Sequence, residues 1–308
     1  MSTYLKFWNL QRSAFKAQAG SEDFFRTPQL DALMKRISYF CEHGEPLILI
    51  TGKRGMGKTL LADKIQTELS VDTVDVAEVN LHAPVHESGW LINKLAKFFN
   101  QSVKSNSEAE PQANADMLLR CFADLHQENR KLVVVVDDAQ FVQGPRALSD
   151  LEQLMKIHAR ARNSFSLVIL AEPDFQDTIQ TSSLAEYITL SAALLTWGRT
   201  DIEEFIRYRS RNAGLGEQVF LTEALKVIER ASGGNPARIT TILEHCLMEA
   251  FIQATKVVSE SVALQAASYL KREDYVETVA VEEEEDSVPQ HIPTSPRISF
   301  ADLMRKKV

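Results

Sequence analysis

Residues Pro46–Leu61 read PLILITGKRGMGKTLL: an apolar run, a glycine-rich loop and the opening turn of a helix. Gly52, Gly57, Lys58 and Thr59 fit G-x-x-x-x-G-K-[ST], the pattern of a phosphate-binding loop. The chemistry needs that spacing. Gly52 lets the chain leave the strand sharply, and Gly55 and Gly57 let bare N–H groups approach phosphate oxygens. A helix starting near Gly57 points its positive end at the same oxygens. The whole stretch Gly52, Lys53, Arg54, Gly55, Met56, Gly57, Lys58, Thr59 and Leu60 is therefore the candidate nucleotide cradle. In it Lys58 reaches the β- and γ-phosphates and the Thr59 hydroxyl ligates Mg²⁺. The plain alternative, a glycine turn between strand and helix, leaves the flanking pattern unexplained: Leu47–Ile50 is an apolar strand, and Leu60, Leu61 and Ile65 follow at helical spacing.

The sheet around this loop is read from its neighbours. Strands are expected at Thr73–Asn80, Lys131–Asp137, Ser166–Ala171 and Tyr187–Leu190, with KLVVVVD at 131–137 as apolar as a central parallel strand must be. Helices fit Thr27 to about Gly44, with Thr27 as N-cap and Pro28 at the first helical position, and also 87–99, 113–127 and the segment after Pro145. A polar loop is expected around 101–111. Strands alternating with helices argue an α/β, three-layer parallel sheet. From Trp197 the strand pattern stops, and helices fit 199–212, 222–231, 236–254 and 259–271, a small all-helical domain.

The expected organisation is a 1–26 aromatic arm, a 27–195 P-loop domain, a 196–272 helical lid and a 273–308 acidic tail. The arm carries Tyr4, Phe7, Trp8, Phe15, Phe24 and Phe25 without a clean period. It reads either as irregular chain packed across a domain surface or as an exposed arm that binds a protein partner. The tail holds the run Glu282–Asp286 and Pro289, Pro293 and Pro296, too little apolar surface to order itself. Its end, with Ile298, Phe300, Leu303 and Met304, reads as either a short docking peptide or a solvated end.

Composition sets outer limits. The 308 residues are 44% hydrophobic and 25% charged, those of a globular protein. Nine acids and four bases fall from Glu273 onward, so most of the net charge of −8 sits in the tail. A nearly balanced body weighs against nucleic acid as a partner, while leaving room for an isolated basic patch. Cys41, Cys121 and Cys246 lie far apart and read as reduced core residues of a reducing compartment. His82 and His86 lack the carboxylate or thiol company of a metal site. With no signal peptide and no apolar stretch of about 18 residues, the chain is expected to be cytoplasmic and without a membrane span.

A phosphate-binding loop needs an acidic strand end beside it. Val133–Val136 lead to Asp137, the expected Mg²⁺ partner, and to Asp138, at the position of a water-activating base. Aspartate is one methylene shorter than glutamate, and a displacement near 1 Å can cost about a hundredfold in rate. Glu172 follows the next apolar strand, where a polar residue meets the γ-phosphate or the attacking water. ATP and Mg²⁺ are the expected cofactors, with Lys58, Asp138 and Glu172 as candidate catalytic residues.

The ordered set Phe7-Trp8-Asn9-Leu10, GKRGMGKT, VVVVDDAQ, LVILAEPDF, FIRYRSRNAGL and ASGGNPARI, over about residues 4–255, resembles AAA+ ATPases of the general secretion A (ExeA) kind. At DDAQ and AEPDF it resembles more closely the ATPase portion of DamX-like proteins. The resemblance implies an AAA+ sheet with a helical lid, ATP hydrolysis, homo-oligomers and action at the bacterial cell envelope in secretion, pilus assembly or division. Without a span, recruitment to the inner face of the inner membrane would need a partner.

By the same resemblance Lys58 and Thr59 are nucleotide ligands, Asp137 the Mg²⁺ residue, Asp138 the base, Glu172 the sensor-1 position and Arg238 the sensor-2 residue. The chain departs from that pattern. Secretion-type members carry Arg directly after the lid Pro, where this chain has Ala237. No Arg or Lys lies between Pro173 and Gly198, where AAA+ rings place an arginine finger, leaving Arg160 or Arg162 as substitutes or the protein as a slow switch. Arg207, Arg209 and Arg211 are expected on a solvated helix face, the alternative being contact with nucleotide or a neighbouring subunit. Two further readings are a DNA-binding ATPase that regulates transposition, and a nucleotide-binding scaffold without turnover.

Overall fold

Successive side chains of every central strand point to opposite faces, and both faces are buried, so the sheet lies between two layers of core. A computed structural model describes residues 3–16, 24–69, 73–102, 111–216 and 218–270. The acidic tail, its terminal amphipathic segment and most of the polar loop expected around 101–111 lie outside these residues. In β1 (Leu47–Thr51), Leu47 and Leu49 face one core while Ile48 and Ile50 face the other. Val134 and Val136 of β3 (Lys131–Asp137), with Leu167 and Ile169 of β4 (Phe165–Ala171), join the first core. Val133, Val135, Val168 and Leu170 join the second. A parallel strand covered on both faces must be apolar at every position, which is why these three runs lack the polar alternation of a half-exposed sheet.

The five strands are all parallel in the order β2-β3-β4-β1-β5, with β2 at Val74–Asn80 and β5 at Ile188–Ala193. The fifth strand starts one residue later and runs three residues further than the sequence pattern suggests. It is an edge strand with alternating half-exposed residues, so its apolar signal is weak. Helices α2 (Pro28–His43) and α3 (Lys58–Leu69) cover one face. The other face holds α4 (Trp90–Ser102), α5 (Pro111–Gln127) and α6 (Gly144–Arg160). α2 begins as its sequence requires: the Thr27 hydroxyl accepts from the Leu30 N–H at 3.2 Å, and Gly44 closes the helix at φ +68. A Cβ on Gly44 would stand 2.0 Å from the Asn163 carbonyl oxygen, so only glycine fits.

After the short α7 (Phe175–Gln180) and β5 comes a helical region, the expected lid and so called below: α8 (Arg199–Ala213), α9 (Thr222–Ser232), α10 (Pro236–Ile252) and α11 (Glu260–Ala267). The last ends four residues before the sequence pattern does. No helix among the described residues is long and apolar enough to cross a membrane.

The N-terminal arm is more ordered than its irregular pattern suggests. Thr3–Trp8 form a helix, α1, and the arm lies on the lid. Trp8 Nε1 donates to the Leu247 carbonyl at 3.1 Å, and Lys256 Nζ sits 3.8 Å from the Phe7 ring centroid. One oxygen of Glu244 accepts from the Ser13 hydroxyl and from the Phe15 and Lys16 N–H groups, the last two at 2.6 and 2.7 Å. Arg209 answers from the other side, donating to the Ala14 and Lys16 carbonyls at 3.0 Å each. It is 5% exposed, which corrects the solvated face expected for this helix; Arg207 and Arg211 are exposed. A guanidinium offers several donors in a fixed fork, so two chain carbonyls can offset its desolvation.

Candidate functional site

The glycine loop follows β1 without a break: the Gly52 N–H donates to the Ala171 carbonyl at 3.0 Å, continuing the sheet by one residue. Gly55 and Gly57 sit at φ +81 and +90, in the region that costs other residues strain. Gly52 does not. What favours a glycine there is Leu194, whose Cβ would lie a tight 3.1 Å from an added Cβ. Lys58, the first residue of α3, is 7% exposed, and its Nζ donates to the Gly52 carbonyl at 2.9 Å. The ammonium thus lies over the loop rather than in solvent.

Asp137 ends β3 at 2% exposure, and its Oδ2 accepts from the Thr59 hydroxyl at 2.7 Å. Burial pushes its carboxyl above the ordinary aspartate range, and the Asp138 carboxylate adds to that. The Thr59 hydroxyl, the Asp138 N–H at 2.9 Å and the Lys58 charge oppose the shift. A buried carboxylate beside a hydroxyl is an oxygen-donor pair suited to a hard cation. No cluster of three or more His, Cys, Asp or Glu that could hold a metal occurs among the described residues, so a cation here would draw on phosphate oxygens and water as well.

Asp138 itself is left-handed, at φ +55 and ψ +42, and opens a short 3₁₀ turn, Ala139–Phe141. Its Oδ1 accepts from Gln140 Nε2 at 2.9 Å, and Gln140 Oε1 accepts from the Glu172 N–H at 3.1 Å. Glu172 follows β4, so the ends of β3 and β4 meet through one side chain.

Beside these residues lies a cavity of about 1230 Å³. Arg54, Gly55, Met56, Gly57, Lys58, Thr59, Leu60, Asp138, Gln140 and Glu172 line it, as do Phe24, Phe25 and Trp197, and Lys16 of the arm. Gly52, Lys53 and Asp137 are not in its wall; Lys53 is exposed, and Asp137 is buried behind Thr59. The lid closes directly on the loop: Asn235 Nδ2 donates to the Arg54 carbonyl at 2.9 Å and the Ala237 N–H to the Gly55 carbonyl at 3.2 Å. A Cβ on Gly55 would stand 2.7 Å from Asn235 Oδ1.

Arg238, the sensor-2 residue that the resemblance implies, lies outside the cavity wall. Ala237 faces the loop and lines the cavity, whereas Arg238, one residue further round the helix, does not line it. Arg160 and Arg162 precede β4, at the opposite end of the sheet from the loop, so neither reaches the site within one chain. Sequence reading missed Gln140, Asn235 and the aromatic wall. DDAQ and GGNP held the first two in plain view; the wall joins residues about 170 positions apart and left no local signal.

The segment 41–179 matches the family model for the AAA domain. General secretion pathway protein A of Aeromonas hydrophila is 23% identical over 275 residues, which covers 85% of this chain and 48% of that protein. The chain thus spans about half the length of that curated relative. Among solved structures, the Aeropyrum pernix ORC2 protein in ADPNP–ADP complexes superposes with a TM-score of 0.61 at 18% identity, over 84% of this chain and 72% of that one. Cdc6p from Pyrobaculum aerophilum does so at 0.63 and 13% identity, over 85% and 72%. The fold is that of AAA+ P-loop NTPases, and the sequence resembles the general secretion A type.

Proposed function

We propose that this chain, an AAA+ P-loop NTPase resembling general secretion pathway protein A, binds ATP with Mg²⁺ and hydrolyses it slowly. Its nucleotide state drives self-association and thereby the assembly or regulation of a bacterial cell-envelope machine, to which a protein partner recruits it from the cytoplasm. The observation that carries the nucleotide reading is the convergence of Lys58, Thr59 and Asp138 on the wall of one cavity, with Asp137 held directly behind Thr59. A likeness in fold to a protein solved with adenine nucleotides supports it.

In this reading residues 27–195 are the ATPase domain and 196–272 the lid. Lys58 neutralises phosphate charge, and Thr59 and Asp137 hold the Mg²⁺, which supplies further charge neutralisation on the phosphates. Asp138 takes the proton of the attacking water, and Glu172 stands near the γ-phosphate. Turnover is slow for three reasons: the base is the shorter acid, Ala237 offers no cation from the lid, and no Arg or Lys lies between Pro173 and Gly198. An arginine supplied by a neighbouring subunit is worth about 10³–10⁵ in rate. Of the arm's aromatic residues, all but Phe24 pack on the chain's own lid, and Phe24 packs on the sheet side, which leaves the tail as the partner surface.

Steady-state ATP hydrolysis by the wild type and Lys58→Ala, beside binding of a fluorescent ATP analogue, tests this reading. Turnover in the wild type alone supports it. Binding without turnover, even in concentrated protein, replaces it with a switch or scaffold. Absence of binding overturns it.

A further inference from the structure

Gln140 has no part in the chemistry so far, yet it touches both acids that flank the cavity. Its Nε2 donates to Asp138 Oδ1 at 2.9 Å, and its Oε1 accepts from the Glu172 N–H at 3.1 Å. Only one orientation of the amide satisfies both contacts. An ionised carboxylate can only accept and a backbone N–H can only donate, so a flipped amide would face acceptor with acceptor and donor with donor. The two partners sit 34 residues apart in sequence, at the ends of neighbouring strands. Asp138 makes no side-chain cap hydrogen bond to the 3₁₀ turn it opens, so the backbone of that turn does not anchor the carboxylate. The bond to Oδ1 does, and it leaves Oδ2 with no partner among the described residues.

We propose that Gln140 is a positioning residue: it fixes the Asp138 carboxylate for proton abstraction and ties it to the strand end that carries Glu172. This rests on the hydrolysis reading above. The short acid is thereby held at one oxygen while the other stays available to accept a proton from water. The side chain can do this because a glutamine spans the gap between the two strand ends with a donor at one side and an acceptor at the other.

Four variants of the full chain test it. Gln140→Met keeps the length and loses both hydrogen bonds. It should lower kcat about ten- to a hundredfold, the scale of a misplaced base, with KM and analogue affinity changed less than about twofold. Gln140→Glu keeps the acceptor for the Glu172 N–H but sets a second carboxylate beside Asp138, and kcat should fall at least as far. Asp138→Asn should fall further, and the double variant Asp138→Asn/Gln140→Met no further than Asp138→Asn alone, because Gln140 acts through Asp138. Unchanged kcat in Gln140→Met, or losses that multiply in the double variant, overturn the proposal.

Hydrogen exchange at the Glu172 amide in nucleotide-free protein needs no turnover. It should quicken in Gln140→Met, and equal exchange overturns the contact itself. A wild type that binds nucleotide without turnover sinks the hydrolysis reading, and that result comes from the wild type alone, independently of the Gln140 variants.

Discussion

The sheet side and the lid side of the cavity are built by different means. On the sheet side, charged and hydroxyl groups do the holding: Lys58 over the Gly52 carbonyl, Thr59 on Asp137, Asp138 on Gln140. On the lid side, the contacts to the loop come from an amide side chain and a backbone N–H, Asn235 and Ala237. The side that resembles other phosphate-binding loops makes all of these contacts within one chain. The other side meets it by shape and offers no cation at position 237. A site of this kind should separate binding, which the sheet side supplies, from rate, which depends on what approaches from outside.

The largest effect expected is at Lys58. Removing a buried, hydrogen-bonded charge partner costs roughly 2–5 kcal/mol, so Lys58→Ala should weaken binding of a fluorescent ATP analogue by about a hundredfold or more. An affinity within a few-fold of wild type would break the assignment of binding to the sheet side.

Asp137→Asn comes next. It should abolish the gain in affinity that Mg²⁺ gives while leaving metal-free binding near the wild-type level, as isothermal titration with and without Mg²⁺ would record. Acidity sharpens this. The Asp137 carboxyl is raised by burial, so its proton competes with Mg²⁺ at a higher pH than an ordinary aspartate, near 3.9, would allow. The Mg²⁺-dependent gain should therefore fade on acidification from a point above that value, and Asp137→Asn should show no such trend. A gain that survives well below pH 3.9 in protein that remains folded would contradict the burial argument.

Gly55→Ala probes the seam between the two sides. Its φ of +81 strains any Cβ, and that Cβ would meet Asn235 Oδ1 at 2.7 Å. A stability loss of about 1–3 kcal/mol in denaturant titration is expected, with a drop in nucleotide affinity as the lid is pushed off the loop. Arg238→Ala should do little by comparison. Affinity and kcat within about threefold are expected, since its side chain is outside the cavity wall; a loss of tenfold or more in kcat would restore it as a phosphate sensor.

The smallest effect compares how tightly each side is packed. Cys41 lies in the core behind the sheet and Cys246 in the lid; burial pushes both thiols to about 12. Neither should react with a thiol reagent in native protein, while half-buried Cys121 reacts slowly. Mass spectrometry of labelled protein would read this directly. Modification of Cys246 ahead of Cys41 would show that the lid opens while the sheet stays closed.

Much of the sheet side is legible in the sequence. A glycine loop between an apolar strand and a helix, and a run such as KLVVVVD ending in two acids, are local patterns, and local geometry is what backbone sterics and hydrogen bonding encode. The arm is harder to read. Its aromatic residues have no period because they follow the surface of the lid rather than the repeat of one helix or strand. Arg209 departs from expectation for a related reason: on a polar helix exposure is the default, and only the arm's two carbonyls make its burial stable. Arg238 and Ala237 differ by one residue, a turn of about 100° around a helix, and no pattern of apolar residues fixes a helix's rotation that closely.

The sequence by itself determined the P-loop, the acidic end of β3, the parallel α/β sheet and the change to an all-helical region after Trp197, because each rests on contacts within a strand, a turn or a helix. Tertiary structure alone decided which face of α10 meets the loop, that Gln140 joins two strand ends, and that Glu244 and Arg209 hold the arm. Those pairs lie tens to hundreds of residues apart, and the free energy of such contacts exists only once the layers have packed.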